Sequence, residues 1–334
     1  MSDFDSLRRF LTPLAPGYRL GLAVRELRLR AGLEPVRRLR WPVVSVGSLS
    51  AGGSGKTPLT IALAQALTRR GHYVDVLSRG YGRLSRTAAR VDPKGAAEDY
   101  GDEPLLTAQA AAVPVYVAAQ RCAAGLLAEA ESSDLSPFGL HLLDDGFQHR
   151  QLYRDMDILL LDANDWFTET LLPAGNLREP LSALRRARVL AIPARDAPQL
   201  EPALRSGGRW QGPIWHLHRR MEVPQIDRPA AAFCAIARPA QFFRGLESAG
   251  LRLAARFAFP DHHRFTARDI DRISAQARAA GAEALITTEK DRVRLGQLTV
   301  PLPLHTARLR IEIENEPAKL DWLEDRLAHL FGGK

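Results

Sequence analysis

The stretch SVGSLSAGGSGKTPLTIALAQAL, Ser45–Leu67, decides the fold. The residues just before it, "WPVV", open an apolar, β-branched run that leads into glycines. A helical pattern then extends from about Lys56 to Arg70, and Gly71 supplies the residue that closes it. Strand, glycine-rich loop and helix in this order form a phosphate-binding loop. The general spelling is G-x-x-x-x-G-K-[ST], yet counting back from Gly55-Lys56-Thr57 puts Ser50 where the first glycine belongs. The mechanism survives that change. Gly52, Gly53 and Gly55 can adopt the backbone angles that turn amide N–H groups inward on an anion. The following helix adds its positive N-terminal end. Lys56 can reach the β- and γ-phosphates, the Thr57 hydroxyl can bind Mg²⁺, and Pro58 sits in the first turn, where no N–H is missed. The expected cradle is Ser50, Ala51, Gly52, Gly53, Ser54, Gly55, Lys56 and Thr57, with the phosphates of a nucleotide and Mg²⁺ as what it holds.

Outward from the loop, "YVDVLSRGYG" reads as the next strand and turn. Further short apolar runs stand at Pro114–Ala118, Leu140–Leu143, Ile158–Leu161 and Val189–Ile192, with helical stretches between several of them. The fold class expected is α/β, with a P-loop NTPase-type parallel sheet carrying helices on both faces. Residues 195–230, rich in Pro, Gly and Arg, read as a linker. Beyond them "AAFCAIARPAQFFRGLESAGLRL" reads strand, turn, helix, strand. Thr266 then N-caps a helix with Asp269 three positions on, and Gly281 ends it before another strand. Three segments follow: 1–40, a basic amphipathic membrane-association segment; 41–227, the P-loop domain; and 228–334, a second, smaller α/β domain.

A nucleotide loop with Mg²⁺ calls for a carboxylate at a neighbouring strand end. "FGLHLLDDGFQHRQL" ends an apolar run in Asp144 and Asp145, and either could hold the ion directly or through water. The same pair could simply cap the turn at Gly146. "TTEKD", Thr287–Asp291, lacks the spacing of a guanine-reading motif, so adenine is expected and the segment reads as a strand entering a turn.

The chain has 334 residues, 46% of them apolar, 25% charged, and a net charge of +8. That length suggests about two domains, and the apolar content excludes global disorder. Cys122 and Cys234 form neither a disulfide framework nor a zinc set, which points to a reducing compartment. The N-terminal residues lack a secretory apolar run, and no stretch approaches the roughly 20 apolar residues of a spanning helix. Residues 1–40 carry nine Arg against four acidic residues. Leu20, Ala23, Val24, Leu27 and Ala31 fall on one helical stripe, with Arg19, Arg25, Arg28 and Arg30 off it; Phe4, Leu7, Leu11 and Leu14 repeat the spacing earlier. Such a stripe either packs on the protein's own core or lies in a membrane interface, where each Arg adds about 1 kcal/mol on an anionic leaflet.

The set "SLSAGGSGKTP", "GDEP", "LDDGFQHRQL", "LPAGNLREPLSAL" and "FPDHHRF" resembles the tetraacyldisaccharide 4′-kinase family, across nearly the whole chain. In that family the loop opens with Ser or Thr, which accounts for Ser50. The resemblance implies ATP-dependent phosphorylation of the 4′-hydroxyl of a tetraacylated disaccharide 1-phosphate to give lipid IVA. It implies a peripheral enzyme on the cytoplasmic face of the inner membrane, held by its N-terminal segment. Residue by residue it implies Asp102 as general base with His262 as its partner, and Lys56 on the transferred phosphate. Asp144 and Asp145 fall to the Mg²⁺ region, with Gln148 and His149 nearby; Arg178 and Glu179 fall in a segment tied to the lipid substrate. The partners expected are an acidic acylated disaccharide and an anionic membrane surface, without nucleic acid or an obligate protein partner. A P-loop switch or transport ATPase is the competing enzyme reading. A nucleic-acid-binding module lacks any supporting motif.

Overall fold

The computed structural model describes residues 12–53, 55–132 and 139–331. Phe4, Leu7 and Leu11 of the early apolar spacing, and Ser54 of the loop, lie outside the described residues. Among the described residues twelve strands form one sheet. They are β1 (Val43–Ser48), β2 (Val74–Ser78), β3 (Ala89–Arg90), β4 (Val115–Val117), β5 (Leu140–Asp144), β6 (Met156–Leu160), β7 (Val189–Pro193), β8 (Ile214–Glu222), β9 (Ala230–Cys234), β10 (Leu253–Ala258), β11 (Ala284–Thr288) and β12 (Leu304–Ile313). The spatial order is β10-β9-β11-β12-β8-β7-β6-β1-β5-β2-β4-β3. Every pairing is parallel except β3 with β4 and β12 with β8.

The helices are α1 (Ala15–Arg30), α2 (Lys56–Arg69), α3 (Ala97–Tyr100), α4 (Asp102–Ala111), α5 (Arg121–Ser132), α6 (Ala163–Phe167), α7 (Ala197–Arg205), α8 (Pro239–Ser248), α9 (Ala267–Ala279), α10 (Glu289–Leu295) and α11 (Glu316–Phe331). β1, β2, β5, β6 and β7 are buried at every position, as expected of strands covered on both faces. Alternate residues serve the two faces. Val44, Val46 and Leu142 pack with Leu59, Leu63 and Leu67 of α2 and with Leu105 of α4. Val43 and Leu143 pack with Ala124 and Ala128 of α5. The second unit repeats the arrangement: Ile270, Ile273 and Ala277 of α9 cover one face and Phe242 and Leu246 of α8 the other. Thr266 and Asp269 make the capping box. Both cysteines are buried and free.

Two expectations need correction. Residues 195–230 are not a linker, because they hold α7 and the nine-residue strand β8. In β8 the basic side chains occupy exposed or half-exposed positions beyond the apolar start Ile214-Trp215, so charge masked a strand that bridges the two units. "TTEKD" does end a strand, β11, but it enters a helix rather than a turn. Thr288 N-caps α10 by accepting from the Asp291 N–H.

α1 does not bury its apolar stripe. Leu20, Val24 and Leu27 are 65%, 49% and 67% exposed, and Ala23 and Ala31 are exposed as well. The inward side carries Tyr18 and Leu22 against the core, while Arg25 donates to the Gln148 carbonyl and Glu26 pairs with Arg150. Among the described residues no helix is long and apolar enough to cross a membrane.

Candidate active site

β1 and β5 are neighbours, with Val46 level with Asp144, so the phosphate loop and the aspartate pair emerge side by side at the carboxyl ends of the sheet. Gly52, Gly53 and Gly55 have φ of 79°, 63° and 95°, a left-handed run that side chains resist. The loop entrance is held from alongside. Ala51 N–H donates to the Asn176 carbonyl (2.8 Å) and Arg178 N–H to the Leu49 carbonyl (2.7 Å). Ser50 is buried, and its hydroxyl donates to Asp165 (3.0 Å). That bond gives a physical reason for Ser in place of Gly.

Asp144 is buried and accepts from the hydroxyls of Thr57 (2.9 Å) and Thr60 (3.1 Å). Burial, then Glu103 and Asp145, push its carboxyl up to about 7. Asp145 behaves oppositely. Burial alone would raise it, but Lys56 at 3.7 Å and the Arg178 fork at 2.7 and 2.9 Å hold it down at about 2. Arg178 also reaches the Ser48 carbonyl, as does the Gln148 amide (3.0 Å). His149 is pushed down to about 3 by burial and then by Arg121 and other arginines, which leaves it neutral. Glu179 is buried and turned to Arg186.

The residues suit Mg²⁺ as an oxygen-ligand ion. Thr57 meets Asp144, and among the described residues Gln148 Oε1 is a buried oxygen with no hydrogen-bond partner. Among the described residues no group of three or more His, Cys, Asp or Glu is placed to hold a metal ion.

Asp102 begins α4 after Gly101, whose φ of 92° and closeness to the Tyr81 carbonyl leave no room for a side chain. Asp102 Oδ2 meets His262 Nδ1 at 3.4 Å. His263 instead stacks on Phe259 and meets Asp269 at 3.1 Å, so of the adjacent histidines only His262 faces Asp102. Burial alone would raise Asp102, yet the His262 hydrogen bond, Lys290 and Arg294 hold it well below the usual carboxylate range. Arg294 contacts both members of the pair, at 2.6 Å to Asp102 Oδ2 and 3.0 Å to His262 Nδ1.

Four residues here escaped the sequence reading. Arg294 and Lys290, which pairs with Glu103 at 3.0 Å, come from α10 in the misread "TTEKD" region. Arg121 is buried near Asp144 and Asp145 with its Nε unpartnered. Asp165 lies in a segment without a motif; only its N-cap, Asp162, carries a sequence signal.

A family model described as tetraacyldisaccharide-1-P 4′-kinase matches residues 7–328. The chain belongs to the tetraacyldisaccharide-1-P 4′-kinase family. A tetraacyldisaccharide 4′-kinase from Koribacter versatilis is 43% identical over 93% of this chain and 97% of its own length. One from Gluconacetobacter diazotrophicus is 40% identical over 86% and 84%. The solved structure of an "apo" form of LpxK from Aquifex aeolicus, in complex with ATP, superposes with a TM-score of 0.75 at 32% identity, over 96% of this chain and 99% of that one.

Proposed function

We propose that this chain transfers the γ-phosphoryl group of ATP to the 4′-hydroxyl of a tetraacyldisaccharide 1-phosphate, giving lipid IVA. The observation that carries the reading is the Thr57–Asp144 contact at 2.9 Å beside Lys56 at the start of α2. Phosphoryl transfer asks chiefly for positioning and charge neutralisation. The loop amides and Lys56 would hold the phosphates, and Thr57 and Asp144 would hold Mg²⁺, which would supply charge neutralisation on them. Asp145 orients Lys56 and is itself tied to Arg178, so Asp144 is the nearer ion partner. Gln148 and His149 line the region, and Arg178 and Glu179 stand on the segment that meets the lipid.

Asp102 accepts the hydroxyl proton, with His262 setting its orientation. A carboxylate held so low is a weak base, which suits a transition state that needs the alcohol placed more than deprotonated. Residues 1–40 associate with the membrane, 41–227 bind the nucleotide, and 228–334 form the smaller unit beside it. The exposed stripe of α1, flanked by Arg19, Arg28 and Arg30, supports a peripheral position on the cytoplasmic face of the inner membrane.

The test is transfer of label from γ-labelled ATP, with Mg²⁺, to tetraacyldisaccharide 1-phosphate in detergent. Label should enter the lipid, and Lys56→Ala should lower that by about 100-fold or more. Release only as free phosphate would replace the kinase with a switch ATPase.

A further inference from the structure

A group of charges on the other side of the phosphate loop takes no part in the chemistry above. Asp162 lies two residues beyond β6, the strand next to β1, and caps α6 by accepting from the Asp165 N–H at 2.9 Å. Asp165 receives the Ser50 hydroxyl, and burial together with Asp162 pushes its carboxyl up to about 6. Across from them stands Arg238, in the connection between β9 and α8 of the second unit. Its guanidinium is 3.6 Å from Asp162, an ion pair too long for a hydrogen bond. Its stem lies against the loop: a Cβ placed on Gly53 would be 3.4 Å from Arg238 Nε and 3.7 Å from its Cδ. The neighbouring glycines are covered likewise. A Cβ on Gly52 would be 3.9 Å from the Ala237 Cβ, and one on Gly55 would be 3.1 Å from Arg219 Nη2.

We infer that Arg238 is a nucleotide-positioning residue, which the second unit lays on the phosphate loop to bind the polyphosphate of ATP while Asp162 holds it in place beforehand. The argument is one of reach and competition. A guanidinium is a rigid fork that matches phosphate oxygens, and here it sits at the glycines whose purpose is to approach an anion. Its contact with Asp162 is loose, so a polyphosphate carrying several negative charges outcompetes it. Arg219, largely shielded and close to Gly55, keeps the same side of the loop positive.

This rests on the phosphate-loop reading, so the experiment separates the two. Affinities for ATP, ADP and AMP are measured by titration calorimetry on the full chain and on Lys56→Ala, Arg238→Ala, Arg238→Lys and Asp162→Asn. Arg238→Ala should weaken ATP about tenfold or more, the value of one charge-assisted hydrogen bond, and leave AMP unchanged. Arg238→Lys should recover part of the loss, and Asp162→Asn should bind ATP at least as tightly as the unaltered chain. An Arg238→Ala chain that binds ATP normally while Lys56→Ala does not would end the role of Arg238. So would equal losses for ATP and AMP, or an Asp162→Asn chain that loses ATP affinity as Arg238→Ala does. Normal ATP binding by Lys56→Ala would overturn the loop reading itself.

Discussion

Two adjacent aspartates, Asp144 and Asp145, are driven in opposite directions by their surroundings. Asp144 sits in the protein with hydroxyl partners and no cation in contact, while Asp145 is gripped by Arg178 and approached by Lys56. A carboxyl whose folded value is raised from 3.8 to about 7 loses stability as pH climbs between those values, because ionising it costs more in the folded chain than in the unfolded one. Asp144→Asn should therefore raise Tm at pH 8 and nearly erase that pH-dependent loss, while lowering transfer by about 100-fold or more. A lower Tm at pH 8 would show that the carboxylate is not strained. Sequence made Asp144 and Asp145 visible as a strand-end pair but could not rank them, since the ranking comes from Thr57, Thr60 and Arg178, far away along the chain. Arg294 was invisible for the same reason: it lies 192 positions from the Asp102 it grips, and no local pattern reports such a contact.

At the scale of single elements, α1 shows what periodicity can and cannot say. The stripe was legible at its correct positions, but a wheel does not reveal which side the rest of the protein takes. Here the core takes Tyr18 and Leu22, and the leucine stripe is left to the outside. Replacing Leu20, Val24 and Leu27 together by Glu should release the chain from anionic vesicles in a sedimentation assay and leave Tm within a degree or two, since exposed positions away from packing shift stability by only about 0.5 kcal/mol each. Continued sedimentation would transfer the anchoring to another surface. β8 and α10 were misread because Arg, His and Lys crowd them. Their long stems can lie along apolar neighbours while the charged ends reach out, a placement that composition alone counts as loop.

Across the whole molecule, the parallel order was foreseen from alternating apolar runs, whereas the joining of the two units was not. β12 pairs with β8 in antiparallel fashion and α11 then packs on the nucleotide unit. At the start of β5, buried His141 lies 2.8 Å from Asp75 and 3.5 Å from Glu129. Burial alone would lower the imidazole, but a carboxylate on each ring nitrogen raises it to about 9. Stability from this group is full below about 6.5 and is lost as pH rises through about 9. Denaturant titrations should show His141→Ala costing about 3–5 kcal/mol at pH 7 and much less at pH 10. An equal cost at both would mean the pair is not ionic. The return of α11 also bears on how the protein is made. Leu320, Leu323 and Leu327 complete the cluster that holds Val44 and Leu63, so a core begun at β1 is closed only when α11 has been made. A ribosome halted after Ile313 carries a nucleotide-binding half with its hydrophobic side still open. Proteases should cut such a nascent chain readily within residues 41–227, and extending it through Phe331 should suppress the cutting.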